Sequence, residues 1–378
     1  MKKWFVVISA LIIFLCVFFL YSLKPENTID QQIINKEQFT FWLYSSELVE
    51  LAKQFEKDNP TIKVITKFVK NPLTLVDELY AAQSAGTPPD FAEIPSWYGI
   101  HSFIESGAII PVSTYLSTGY EEELPDAIRK RFQYEDTLWA MPISYEVPLL
   151  FVNEAHLSQS QIELSTLDSL QSVIAASNEI SKGKNAKLKW GLNADNLYPW
   201  YLMNINANPS AINEHHASIL VAENKEFLFH QNHLALTEFV NGEGGILISS
   251  SNKLQLIEKL IGSKFKWQVI PFPLESEKLI PNGNGLIIFN KSERLADYME
   301  NFLQYIQKEE QLKTFALSNS TIPASKTLIQ NESYQKYYRH FPYYRNIVID
   351  SLKAEGRVVR LEDETEWKQL IRANENRE

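Results

Sequence analysis

Between Gln38 and Ile94 the hydrophobic pattern changes period four times, and no other feature of the chain constrains its fold as strongly. QFTFWLY (38–44) reads as a strand, and Ser45 and Ser46 follow as candidate N-caps before Leu48, Leu51, Ala52 and Phe55, which share one helical face. Asn59-Pro60 ends that helix; IKVITKFV (62–69) is the next strand, LTLVDELYAAQSA (73–85) the next helix, and DFAEI (90–94) a short strand. Strands joined through helical crossovers pair in parallel and need helices on their faces, so the region is α/β with a parallel sheet.

The pattern changes at TLWAMPISYEVPLLFVN (137–153), two apolar runs separated by a polar kink with no long helix between them. A second series of strands and helices follows, from TLDSLQSVIAASNEIS (166–181) through LKWGL (188–192), GGILISSSNKLQLI (244–257) and KWQVIPFPL (266–274) to NGLIIF (284–289); the tail beyond Ser292 is mostly helical. With 378 residues there is enough chain for two cores, and two α/β lobes joined by more than one crossing strand fit the pattern.

Ahead of this, behind Lys2 and Lys3, lies an uncharged run of 20 residues from Trp4 to Leu23. That length suffices to cross a bilayer as a helix. Basic residues before the span place the N-terminus in the cytoplasm and everything from Lys24 onward outside. No small-residue cleavage site follows Leu20, so residues 1–23 are read as a signal or anchor and 24–37 as a polar tether. Cys16 is an apolar residue of the span or, less readily because bulky Leu15 precedes it, a lipid attachment site. The exported part contains no cysteine and must be stable without disulfides.

Charge and motif exclude several functions. Lys and Arg number 36 against 46 Asp and Glu, with no basic cluster, which argues against nucleic acid as a partner. His215-His216 and His230/His233 lack zinc-site spacing; Ser249 to Ser251 lie outside any G-x-S-x-G; and Gly242 to Gly245 and Gly283/Gly285 lack a phosphate-loop sequence. Neither metal nor cofactor is expected. Glu146 is the informative acid: it sits in a run too apolar for the surface, so its carboxylate lines a cleft or is held by buried hydrogen bonds. Aromatic residues stand beside turn signals, Trp42 and Tyr44, Trp97 and Tyr98, Tyr198 and Trp200, Tyr343 and Tyr344, as a stacking site for a flat, hydroxyl-rimmed ligand such as a sugar requires.

Taken in order, FWLYSSELVELAKQFEKDNPTIKV (41–64), GTPPDFAEIPSWYG (86–99), GAIIPVSTYL (107–116), LWAMPISYEVPLLFVNEAHL (138–157), GGILISSSNKLQLI (244–257) and NSTIPASKTL (319–328) resemble the landmarks of the extracytoplasmic solute-binding proteins of bacterial ABC importers, of the maltose-binding and glycerol-3-phosphate-binding type. The resemblance implies a two-lobed periplasmic-binding-protein fold of class II, preceded by the N-terminal hydrophobic helix, with a ligand cleft between lobes: 36–145 plus 284–325, and 146–283 plus 326–378. It implies a monomeric, non-enzymatic receptor outside the cytoplasmic membrane. The receptor would capture a sugar by hinge closure and deliver it to a membrane permease.

By the same resemblance Glu146 is a sugar-contacting acid, Trp200 a stacking ring of the second lobe, Tyr44 and Ser45 a first-strand contact loop, Ser249 or Ser250 a contact, Gly285 part of a crossing strand and Arg345 a ligand arginine of the phosphate-binding branch. A glycerol-3-phosphate or glycerophosphodiester binder, a membrane-tethered solute sensor and an extracytoplasmic hydrolase are the alternatives.

Overall fold

The computed structural model describes residues 36–183, 187–195, 200, 232–273, 278–291, 295–336, 342–358 and 364. The Trp4–Leu23 run and most of the tether lie outside them, and among the described residues no helix is long and apolar enough to cross a membrane.

The first α/β region folds as its pattern dictates. β1 (Glu37–Leu43) leads into α1 (Ser46–Asp58), which buries Leu48, Leu51, Ala52 and Phe55, the stripe visible in the sequence. After β2 (Ile62–Phe68), α2 (Pro72–Ser84) starts with proline in its first turn. The side chain of Asn71 accepts the Leu73 and Thr74 amides at 2.8 and 3.1 Å. β3 (Phe91–Pro95) completes the unit, and β1 pairs in parallel with both β2 and β3.

The chain continues through α3 (Ile100–Glu105), β4 (Ile109–Ile110), the short helices α4 (Tyr120–Glu123) and α5 (Asp126–Arg129), the hairpin of β5 (Gln133–Tyr134) and β6 (Thr137–Leu138), then β7 (Met141–Glu146) and β8 (Pro148–Asn153). α6 (Glu154–Gln159), α7 (Leu170–Ser181), β9 (Trp190–Ala194), α8 (Asn232–Val240), β10 (Gly244–Ser250), α9 (Leu254–Ile261), β11 (Trp267–Pro271), β12 (Lys278–Leu279) and β13 (Asn282–Phe289) follow. The tail forms α10 (Asp297–Gln307), α11 (Glu309–Asn319), β14 (Ile322–Pro323), α12 (Lys326–Gln330), α13 (Glu332–Gln335), α14 (Pro342–Lys353) and β15 (Glu355–Gly356).

Two main sheets result. The larger runs β14-β7-β13-β3-β1-β2, with β4 also on β13; the smaller runs β11-β8-β10-β9. The polar kink read in 137–153 is the passage from one sheet to the other at Val147. Its amide donates 3.1 Å to Ser251 Oγ and its carbonyl accepts the Ser251 amide at 2.9 Å.

One expectation needs correcting. The larger sheet is not wholly parallel, because β13 enters antiparallel between β3 and β7, and β14 adds antiparallel to β7. Both strands return from distant parts of the chain, so no short crossover fixes their direction. α10 covers one face of this sheet through Phe302, whose ring lies 5.0 Å from those of Phe39 and Phe55 and 5.6 Å from that of Phe41. The architecture is mixed α/β, with a six-strand path in the larger sheet and four strands in the smaller.

Candidate functional site

The carboxyl ends of β1, β3 and β7 and the amino end of the antiparallel β13 share one edge of the larger sheet. This is where open α/β sheets receive ligands. The carboxyl end of β10, from the smaller sheet, reaches the same place, since Ser250 hydrogen-bonds Glu146.

Strand alternation selects the side chains that face this edge. On β7, Ser144 and Glu146 share a face, and their cross-strand partners on β13 are Asn284 and Asn282. Asn282 Nδ2 donates to Glu146 Oε1, and Ser144 Oγ donates 3.1 Å to Asn284 Oδ1. Between them Tyr145 turns its hydroxyl away to Ser351 Oγ, 3.0 Å distant; Ser351 gives its own proton to the Val348 carbonyl, so the tyrosine donates. Gly283 permits this approach of β13 to β7, because a Cβ there would lie 2.6 Å from Ile128 Cδ1 and 2.7 Å from the Ser144 carbonyl oxygen.

Glu93, fully buried on β3, organises the first-strand side. It accepts the Tyr44 and Ser45 amides at 2.8 Å each, Ser45 Oγ at 2.5 Å and Asn284 Nδ2 at 2.6 Å. Ser45 does occupy the N-cap position of α1, yet its side chain makes no capping bond. The expected hydroxyl cap is therefore corrected: a bond to a carboxylate outcompetes one to a neutral helix amide.

Burial pushes the proton affinity of the Glu93 carboxyl up, although Ser45, Asn284 and the two amides oppose it. Burial does the same at Glu146, where Ser250, Asn282 and the charge of Lys253 pull the other way and Asp195 adds to the rise. Ser250 Oγ touches both Glu146 Oε2 and, at 2.7 Å, Asn252 Oδ1. One hydroxyl proton cannot serve two acceptors. It therefore goes to Glu146 or to Asn252, one at a time. The Tyr44 hydroxyl is held protonated, raised well above its usual range by burial and then by the charges of Glu93 and Glu146.

These groups open on a cavity of about 140 Å³. At about 30 Å³ per liquid water this holds roughly five waters, the scale of a small polar ligand. Tyr44, Ser45, Glu146, Asn284, Phe315 and Thr321 are among its walls, and Asn252, Asn282 and Asn319 add amides. Among the described residues no lysine or arginine lines it, and no group of three or more metal-binding side chains occurs.

Of the residues singled out from sequence, Tyr44, Ser45 and Glu146 meet in this cavity, and Ser250 stands behind Glu146. Ser249, one residue earlier on β10, instead donates 3.0 Å to Asp195 Oδ2. Gly285 lies beside the register shift of β13, where a Cβ would come 3.0 Å from Phe132. Trp97, 1% exposed and stacked on Tyr98, and Trp200, 5% exposed, belong to the buried core and do not line this cavity. Tyr198 and the Arg345 side chain lie outside the described residues.

Sequence reasoning did not select Ser144, Glu93, Asn282, Asn284 or Thr321 as site residues. The two-residue spacing in S-Y-E and N-G-N was a usable signal for three of them, whereas Thr321 and Phe315 carry no local mark.

The sequence profile of the bacterial extracellular solute-binding proteins matches residues 50–342. An uncharacterized ABC transporter extracellular-binding protein of Pyrococcus horikoshii is 22% identical over 182 residues, 47% of this chain and 40% of that one, so the match spans less than half of either. Among solved structures, the GacH receptor of Streptomyces glaucescens, determined unliganded and with acarbose, is similar at TM-score 0.65 and 16% identity over 91% of this chain and 94% of that one. Substrate-binding protein Lmo0181 of Listeria monocytogenes with cycloalternan gives 0.64 and 18% over 90% and 99%. UgpB of Mycobacterium tuberculosis with glycerophosphocholine gives 0.64 and 16% over 90% and 98%.

Proposed function

The chain belongs to the bacterial extracellular solute-binding proteins, and from that membership we propose that it captures a neutral saccharide outside the cytoplasmic membrane and hands it to the permease of an ABC importer. The observation that carries the saccharide reading is the cavity wall: a carboxylate, amides and hydroxyls beside the Tyr44 and Phe315 rings, with no lysine or arginine among the described residues. Sugar hydroxyls both give and take hydrogen bonds and match such a wall. A phosphate would face the Glu146 carboxylate with no lysine or arginine beside it among the described lining residues.

We take the two sheets as the cores of two lobes, 36–145 with 284–325 and 146–283 with 326–378. The membership of β7, β13 and β14 in one sheet and of β8 to β11 in the other supports this division. Tyr44, Ser45 and Thr321 of the cavity wall come from the first of these halves and Glu146, Asn252 and Asn282 from the second, so a ligand bound at Glu146 touches both and favours the closed arrangement by its differential affinity. Residues 4–23 would hold the receptor at the membrane.

Likeness to the glycerophosphocholine-bound structure favours a second reading, a glycerophosphodiester receptor. A thermal-shift screen with maltotriose, mannobiose and glycerophosphocholine separates the two. Stabilisation by a saccharide and not by the phosphodiester is expected; the reverse result removes the saccharide reading, and hydrolysis of any probe removes both.

A further inference from the structure

Thr321 lines the cavity, and its Oγ1 is buried with no hydrogen-bond partner among the described residues. The residue is otherwise fully engaged. Its amide donates 2.9 Å to the Ala316 carbonyl, and its own carbonyl accepts the Tyr334 hydroxyl at 3.1 Å. The preceding Ser320 is in the left-handed region at φ 54°, which fixes the turn from α11 into β14. A buried hydroxyl left without a partner is costly, and in a native site it calls for an explanation.

The register supplies one. β14 pairs with β7 as Ile322 with Tyr145 and Pro323 with Ser144, so Thr321 stands level with Glu146, which is flanked on its other side by Asn282. The serine hydroxyls nearby have already committed their protons: Ser45 to Glu93, Ser144 to Asn284, and Ser250 to Glu146 or Asn252. Toward the cavity those oxygens can only accept. Thr321 retains its proton.

We propose that Thr321 is a ligand-contacting, specificity-determining residue, whose hydroxyl donates to the same ligand hydroxyl that donates to Glu146. The pair forms one acceptor and one donor side by side, and a single sugar hydroxyl satisfies both. A phosphate oxygen can accept from Thr321 but has nothing to give Glu146. The inference rests on the saccharide reading for its ligand class, and on the orphan hydroxyl for the residue.

The test is titration calorimetry on the full chain with maltotriose, mannobiose and glycerophosphocholine, comparing wild type with Thr321→Val and Thr321→Ser. Valine keeps the shape and removes the hydroxyl. Thr321→Val is expected to weaken saccharide binding at least tenfold while the ligand-free unfolding midpoint stays level or rises, and Thr321→Ser to stay within threefold of wild type.

Saccharide affinity within twofold of wild type in Thr321→Val overturns the proposal. So does a lowered ligand-free midpoint with binding that serine does not restore. Binding of glycerophosphocholine alone fails the saccharide reading, and the same valine substitution then decides the residue: a tenfold loss keeps Thr321 as a contact, no loss removes it. A chain that binds none of the three fails both.

Discussion

At the scale of single residues, Glu146 is the side chain whose placement the sequence determined best. A carboxylate between Tyr145 and Val147-Pro148 had to be hydrogen-bonded or cleft-facing, and it proves to be both. Replacing it by glutamine keeps the volume but removes the strongest acceptor on the wall. Hydrogen bonds to charged groups contribute about 1.5–3 kcal/mol, so Glu146→Gln should weaken saccharide binding by roughly tenfold or more in calorimetry; equal affinity would show that the ligand does not engage this carboxylate.

Trp200 teaches the opposite lesson. Its neighbourhood of Tyr198 and Pro199 looked like a turn presenting a ring to ligand, whereas the residue is 5% exposed within the core. Trp200→Ala should therefore cost about 3–5 kcal/mol of stability, read from chemical denaturation. A near-neutral effect would return the ring to the ligand.

Among elements, the β7–β13 pair decides the site. Its two-residue repeat sets Ser144 opposite Asn284 and Glu146 opposite Asn282. The glycines of N-G-N-G let the strands close up, a requirement that the sequence displayed without naming the partner strand. At Gly283 an added Cβ meets backbone, the Ser144 carbonyl oxygen, and not merely a movable side-chain end. Gly283→Ala should therefore destabilise by about 1–3 kcal/mol and also weaken binding, because Asn282 and Asn284 shift with the strand. Unfolding and titration of the same variant check both; an undisturbed variant would mean that the strands have room to separate.

Over the whole molecule, three buried carboxyls share a sign. Glu93 and Glu146 are raised by burial, and Glu364, which accepts the His101 amide at 3.2 Å at the start of α3, is pushed up to about 7 by burial against the pull of backbone amides and Arg131. The folded chain holds these protons where the unfolded chain, titrating near 4.5, has released them. Their contribution is therefore fully present below that value and is lost as pH rises through the raised values, for Glu364 between about 4.5 and 7. The ligand-free unfolding midpoint should be higher at pH 5 than at pH 8, and Glu364→Gln should narrow the gap. A midpoint that climbs across this range would contradict the assignment.

A bound saccharide that touches both sheets should also draw them together, seen as a smaller radius of gyration in small-angle X-ray scattering; no contraction on saturation would argue against hinge closure.

The sequence alone determined the first βαβαβ unit, the helical stripe of α1, the existence of a kink within 137–153 and the buried acid in that run, because each follows from local periodicity or from the cost of burying charge. It could not determine the direction of β13, the transfer of the Ser45 hydroxyl from helix cap to Glu93, or the arrival of Thr321 beside Glu146. Those depend on which distant strands become neighbours, and hydrogen bonds between residues 48 to 191 positions apart leave no periodic trace along the chain.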